Sequence, residues 1–471
     1  MERLTSLTEG RIGRTLFHLS LPIVYANVLQ TASSSINSVW VGKFLGEAAL
    51  TATLTVHTVM LLLLGATFGV ATIAATLIAQ LLGGSYLREA KRVLGTGITL
   101  FTIISACTVA VGPVAAVPTL HLMGTPPESV TLALDYMHMF FFAVPSLYMF
   151  LFLALVLQGA GDSATPLLFT ILSVAMDATL NPLLIFGVGP IPAFGIAGSA
   201  LATCMGQGVS VVAMIYYLYR RDHFLCLSRA DLPLFRLDWR TAGTLMRKGA
   251  PASAQVLVPA LSGVLMLTLV NKLGIATASA YAVLIQLWNY VQMPAIAVAA
   301  AASSMAAQNV GAQRWDRIGS VLANGILYSS LSTTCMALLL QTLDTRAFGL
   351  FMPADSDALF IARHIHYIVT WSLVPLGVSA VLFGVVQATG AVVVPLWINV
   401  FTLLGLRYVM ATLLISTCNS DFVWWSFPLS AVATLALASY YYKFGKWRAF
   451  HVMAAPRVAP NLDASHPYDR P

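Results

Sequence analysis

The sequence predicts an all-α integral membrane protein with twelve transmembrane helices in two six-helix lobes, related by a parallel internal repeat. Three observations carry this reading: long stretches without a charged residue, alternation of basic and non-basic loops, and landmarks that recur at a near-constant spacing.

Of the 471 residues, 58% are hydrophobic and 9% charged, and the mean hydropathy is +0.82. Soluble domains are about a quarter charged, so composition excludes that class. The charges are also bunched. None lies between Arg14 and Lys43, between Glu47 and Arg88, or between Arg92 and Glu128. Later gaps run from Asp177 to Arg220, Lys248 to Lys272, Lys272 to Arg314, Arg363 to Arg407 and Asp421 to Lys443. A helix needs about 20 apolar residues to cross a hydrocarbon core of about 30 Å. A soluble helical protein does not hold this many such runs.

Cutting the runs at Gly, Pro and charge clusters gives six spans in the first half, at 15–41, 50–81, 93–119, 130–157, 163–187 and 194–219. Six more follow in the second half, at 249–273, 277–309, 318–343, 359–388, 391–417 and 422–442. The lobes are therefore residues 1–219 and 249–445, joined by an arginine-rich cytoplasmic connector at 220–248 and followed by a cytoplasmic tail, 446–471, expected to be disordered. The segment before the first span carries two Glu and three Arg and leads straight into it, unlike a cleavable signal. With the N-terminus inside, the inner segments hold twenty Lys and Arg and the outer ones four (Lys43, Lys272, Arg346 and Arg363). That asymmetry is the positive-inside pattern. It assigns the net charge of +7 to topology, not to nucleic acid, and places both termini in the cytoplasm.

The repeat is visible as AQLLGGSYLREAKR from Ala79 against AQNVGAQRWDRIGS from Ala307. The same spacing of 228 sets Gly46 against Gly274, and nearly the same sets Pro22 against Pro251. QGAGDSATP from Gln158 meets QATGAVVVP from Gln387 at a spacing of 229. Six spans per half is an even number, so the halves run the same way, an arrangement that transporters use with the substrate path between the halves. Small residues at 65–67 and 71–79, matched by 295–307, suit close helix packing.

These motifs carry a family resemblance. LPIVYANVLQTASSSINSVWVGKFLGEAALTA, NPLLIFGVGPIPAFGIAGSALAT from Asn181, QMPAIAVAAAASSMAAQNVGA from Gln292 and LQGAGDSATP from Leu157 resemble the multidrug and toxic compound extrusion (MATE) family, and within it the bacterial damage-inducible (DinF-like) branch. The resemblance runs from about residue 8 to 445. It implies a V-shaped pair of lobes in the bacterial inner membrane that exchanges small organic, often cationic, cytosolic compounds for inflowing H⁺ or Na⁺. The sequence departs from the pattern in three places. Asn37 stands where the branch carries Asp, Asp177 and Asn181 have exchanged places, and the seventh and tenth spans lack any acid.

Asp177 is the acidic residue deep within a span. Intramembrane carboxylates are costly and face cavities or partners, so Asp177 is the candidate coupling group. Asn37, Asn181, Ser199 and Thr203 are its candidate neighbours. One carboxylate suits H⁺ better than Na⁺, which takes several oxygen ligands. His57 and the segment holding Gln286, Trp288, Asn289, Tyr290 and Met293 are candidate cavity residues, the aromatics suiting a flat cation. Pro294, Pro22, Pro145, Pro251 and Pro375 are candidate kinks, and Arg407 is a charge inside the eleventh span. No nucleotide loop, catalytic triad or metal-ligand cluster is present in the sequence. The expectation is a gradient-driven monomer in the lipid bilayer, not an enzyme, with no cofactor beyond its coupling ion and no nucleic-acid partner. The alternative is a lipid-linked oligosaccharide flippase, which would need a more basic cavity than one Arg407 provides.

Overall fold

A computed structural model of the chain describes residues 7–187, 189, 192–349, 357–417 and 420–450. The first half is six helices: α1 (Ile12–Leu45), α2 (Glu47–Gly83), α3 (Leu87–Leu122), α4 (Pro127–Ala160), α5 (Ala164–Phe186) and α6 (Ile196–Arg220). The second half opens with α7 (Trp239–Val270), α8 (Ile275–Gly311) and α9 (Trp315–Thr342), followed by the short α10 (Asp344–Gly349). Two broken spans come next. The first is α11 (Asp357–Val369) and α12 (Leu373–Gln387); the second is α13 (Val393–Asn399), a π-helical turn Val400–Leu406 and α14 (Arg407–Thr417). The last helix is α15 (Ser426–Phe444).

Among the described residues, eleven segments are long and apolar enough to cross a membrane. The twelfth span is α1, 34 residues long but more polar, because Gln30, Thr31, Ser33, Ser34, Ser35, Asn37 and Ser38 crowd one stretch of it. That polarity has a use, described below. The tenth span breaks at Thr370–Ser372, where Pro375 has no N–H to offer the carbonyl one turn back and its ring crowds that carbonyl. Pro22, Pro145, Pro251 and Pro294 lie inside unbroken helices. The seventh span starts at Trp239, ten residues before the expected boundary. Arg240, Arg247 and Lys248 are part of the helix, and Asp238 caps its start by accepting from the Arg240 amide at 3.1 Å.

The connector folds back on α3. Ser228 donates its amide and hydroxyl to Asp231 at 2.9 and 3.0 Å, Lys91 pairs with Asp231 at 3.3 Å, and Thr99 donates to the Phe235 carbonyl at 2.7 Å. A Cβ at Gly95 would sit 2.4 Å from the Leu234 oxygen, so only glycine admits this approach. The tail begins ordered, contrary to expectation: Trp447, in a short turn after α15, is 1% exposed and stacked on Tyr442. Residues 451–471 of that tail lie outside the described residues.

The two halves meet about a pseudo-two-fold axis. Gln80 donates to the Ala388 carbonyl at 2.6 Å, and its repeat partner Gln308 donates to the Gly159 carbonyl at 2.9 Å. Gly83 faces the Gln308 oxygen and Gly311 faces the Gln80 oxygen, so closely that an added Cβ would lie 1.9 and 1.8 Å away. Helices α2 and α7 touch in the same manner, with Ser253 donating to the Ala66 carbonyl at 2.6 Å and accepting from the Gly69 amide at 3.2 Å. The small residues of α2 and α8 are thus a close-packing device. The apolar cores differ between the two ends of the molecule. One cluster mixes Leu7, Leu16, Leu19 and Ala79 with α8, α9 and α12 at the Gln80–Gln308 end. Toward the other end, a cluster around Tyr281, Trp288 and Phe427 belongs to the second half alone.

Candidate ion and substrate site

The polar stretch of α1 faces α5 and α6. Ser33 and Asn37 are four residues apart, hence on one helix face, and so are Asp177 and Asn181 on α5. Ser33 Oγ donates to Asp177 Oδ2 at 3.0 Å and Thr203 Oγ1 donates to Asp177 Oδ1 at 2.9 Å. One turn along, Asn37 Oδ1 accepts from Ser199 Oγ at 2.7 Å and from Asn181 Nδ2 at 3.3 Å. Thr203 also donates to the Ser199 carbonyl at 3.3 Å, joining the two groups. Asp177 and the four residues expected around it therefore form one network. Sequence reasoning missed two members. Ser33 was detectable as the residue one turn from Asn37. Tyr136 of α4, whose buried hydroxyl lies against Asn37 and Ser199, sits in an apolar run that gives no signal.

Asp177 is 9% exposed, and among the described residues no basic side chain pairs with it. Its partners are neutral hydroxyls. Asn181 Oδ1 is buried without a hydrogen-bond partner, leaving a vacant acceptor one helical turn from the carboxylate.

The other candidates are scattered. His57 is exposed on α2 and is not hydrogen-bonded to the Asp177 network. On α8, Trp288 and Asn289 line a cavity of about 150 Å³ in the second lobe, together with Tyr281, Ile285 and Gln292. Gln286, Tyr290 and Met293 do not line it. At 100° per residue the lining stripe centres on Ile285, Trp288 and Gln292, which turns Gln286 and Tyr290 aside. Trp288 is anchored by its indole N–H, which donates to Thr370 Oγ1 at 3.1 Å. Arg407 borders the cavity and is 8% exposed, so it does not reach out to an interface. A larger shallow groove of about 520 Å³ runs along α5 and α6; apolar and tyrosine side chains line it, with Arg220 at the end of α6, and it offers no carboxylate to a cation.

The pattern of twelve spans in two equivalent halves agrees with comparison to known proteins. The MatE family profile matches residues 22–183 and again 251–413, one copy per half. The chain belongs to the MatE family. It is similar to the probable multidrug resistance protein YoeA of Bacillus subtilis, 28% identical over 439 residues that cover 93% of this chain and 95% of that one. It is also similar to an FAD transporter of Shewanella oneidensis, 26% identical over 316 residues, covering 67% and 69%. A crystal structure of MATE in the bent conformation superposes with a TM-score of 0.84 at 18% identity, covering 95% of this chain and 97% of the other. The protein is thus a multi-pass membrane transporter with the two-lobe, twelve-helix fold, and not an enzyme.

Proposed function

We propose that this MatE-family chain exports small organic compounds from the cytoplasm in exchange for H⁺, with Asp177 as the coupling carboxylate. The observation that carries the reading is a carboxylate buried inside a membrane helix whose hydrogen-bond partners are all hydroxyls. A hydroxyl rotates to donate or accept as required. Ser33 and Thr203 donate to charged Asp177, and either turns to accept from the protonated form, so both states are satisfied without rebuilding the cavity. A site that loads and unloads a proton in every cycle needs this property. Asn181 Oδ1 supplies a free acceptor for the arriving proton donor.

Na⁺ is the rival. It needs several convergent oxygens, and here Asn37 Oδ1 and both Asp177 oxygens already receive hydrogen bonds, which favours H⁺. Ser33 connects Asp177 to α1, and α1 packs against α8 of the other lobe. A change of charge at Asp177 therefore acts on a helix shared by both halves. With the N-terminus in the cytoplasm of a bacterial inner membrane, the Gln80–Gln308 end is the cytoplasmic one, and the described arrangement is closed to the cytoplasm. Both halves lie in one chain, which supports a working monomer. Relatives named for multidrug resistance and for FAD support small organic cargo. A cationic compound would meet the condition for exchange by competing with the proton for Asp177; other cargo would meet it by binding only one protonation state of Asp177.

The test is export of ethidium and of a fluorescent aromatic acid from energised bacteria expressing the protein. Extrusion of a probe that stops on adding a protonophore, and continues without Na⁺, supports the proposal. Extrusion insensitive to the protonophore, or strictly dependent on Na⁺, overturns it.

A further inference from the structure

The repeat carries an inversion of charge. Pro166 and Pro395 are 229 residues apart, but the family match ends at residues 183 and 413, which are 230 apart. Between Pro395 and that end, the helix loosens into the π-helical turn Val400–Leu406. Such turns arise by absorbing an inserted residue and recur at functional sites. Arg407 follows that turn, 230 residues after Asp177. Asp177 accepts from Thr203 on the following helix; Arg407 Nε donates to Ser430 Oγ on its following helix at 2.8 Å.

Arg407 is left without a counter-charge. Among the described residues no carboxylate pairs with it, and none lines the cavity that it borders. Its guanidinium lies over the Phe427 ring at 4.6 Å, and its Nη2 is buried without a hydrogen-bond partner. A charge in a membrane span costs about 2.5–3.5 kcal/mol on insertion scales and is ordinarily paired. Around it stand Trp288, Tyr281 and Phe427, with the amides of Asn289 and Gln292. Asn289 is exposed in the middle of a span, a placement that suits a polar cavity. Planar guanidinium forks favour carboxylate and phosphate, and aromatic walls favour a ring.

We propose that this second-lobe cavity is a subsite for an aromatic organic anion. Arg407 holds the carboxylate or phosphate, and Trp288, Tyr281 and Phe427 enclose the ring. At about 150 Å³ it is smaller than the roughly 300–1,000 Å³ of drug-sized sites, so it takes one ring and one acidic group. This names a class of cargo for the export proposed above and rests on that reading, but binding is measured apart from transport.

Purified full-length protein in lipid nanodiscs is titrated calorimetrically with 2-naphthoate, 2-naphthyl phosphate and 2-naphthylmethylamine. At least one anion is expected to bind, and the two anionic arms identify the preferred group. Arg407→Gln is expected to weaken that anion at least tenfold, and Arg407→Lys, which keeps the charge but loses the fork, by less. Asn289→Leu provides a variant that does not disturb the buried arginine, and it should weaken the anion several-fold. A purely structural Arg407 would lower the melting temperature and leave anion affinity in Arg407→Lys and Asn289→Leu as in the parent, which overturns the proposal. Absence of anion binding to the parent protein, or Arg407-dependent binding of the amine alone, overturns it too. Anion binding without any export from cells would count against the transport reading and leave this one standing.

Discussion

Replacing Gln80 and Gln308 by Met tests whether the reciprocal amide contacts hold the two halves together at one end. Met keeps the length and apolar stem of Gln but cannot donate to the opposite carbonyl. Each substitution removes the bond donated to the opposite carbonyl, of 2.6 Å to Ala388 and 2.9 Å to Gly159, and leaves that buried carbonyl unpaired. Such a loss costs about 1–2 kcal/mol, a shift of roughly 5- to 30-fold in the closed-to-open ratio per site. The two sites lie in one contact, so their effects need not add. Gln308 also accepts from the Leu7 amide at 3.2 Å, which makes it the more sensitive of the pair. The assay is pulsed electron paramagnetic resonance between spin labels at Arg88 and Asp316, equivalent exposed positions beside the contact, in a cysteine-free background. The parent is expected to show one dominant short distance, and the double variant a second, longer population. Identical distance distributions would refute the clamp. Gly311→Ala, whose Cβ would land 1.8 Å from the Gln80 oxygen, should move the distribution the same way.

Other consequences follow from individual contacts. Ser33→Ala and Thr203→Ala each remove one hydroxyl from Asp177, a loss of about 1 kcal/mol, and should slow substrate-driven proton flux roughly 5-fold in proteoliposomes. Trp447→Ala should lower the melting temperature, since truncating a buried Trp costs about 3–5 kcal/mol and this one also donates its indole N–H to the Tyr442 carbonyl at 2.7 Å. In the connector, the Ser228 amide and hydroxyl, with help from Lys91, hold the Asp231 carboxyl below its ordinary range. A depressed carboxylate contributes stability above the unfolded value of about 4 and loses it as pH falls through the lower folded value. Protection of the 228–238 amides from hydrogen exchange, corrected for the intrinsic pH dependence of the exchange rate, should therefore be unchanged from pH 8 to 5 and fall on acidification below about 4.

Spans were legible because membrane crossing imposes a length and an apolar composition that charge gaps reveal directly. The first span was legible despite its low hydropathy because Arg14 and Lys43 bracket it. What failed was the start of α7, where helix and membrane boundaries differ: Arg240, Arg247 and Lys248 mark the edge of the apolar run but belong to the helix. Trp447 could not be foreseen, since one buried aromatic in a basic tail has no periodic partner. In the site, Asp177, Asn181 and Asn37 were found because amides and acids are rare in such helices. Ser33 was missed because serines are common along α1, and Tyr136 because tyrosine is unremarkable in an apolar run. Of the candidate residues on α8, Trp288 and Asn289 line the cavity and Gln286, Tyr290 and Met293 do not. Its helix was identified, but Arg407 and Phe427, supplied by distant helices, decide which face lines it.

The most direct test of the account is proton movement by purified protein in proteoliposomes loaded with a pH-sensitive dye, with an imposed pH gradient and no Na⁺. Addition of a probe that expressing cells export should dissipate the gradient through the parent protein, and Asp177→Asn of equal abundance and melting temperature should leave the gradient intact. Equal dissipation by Asp177→Asn, or dissipation by the parent only when Na⁺ is added, would contradict coupling through Asp177.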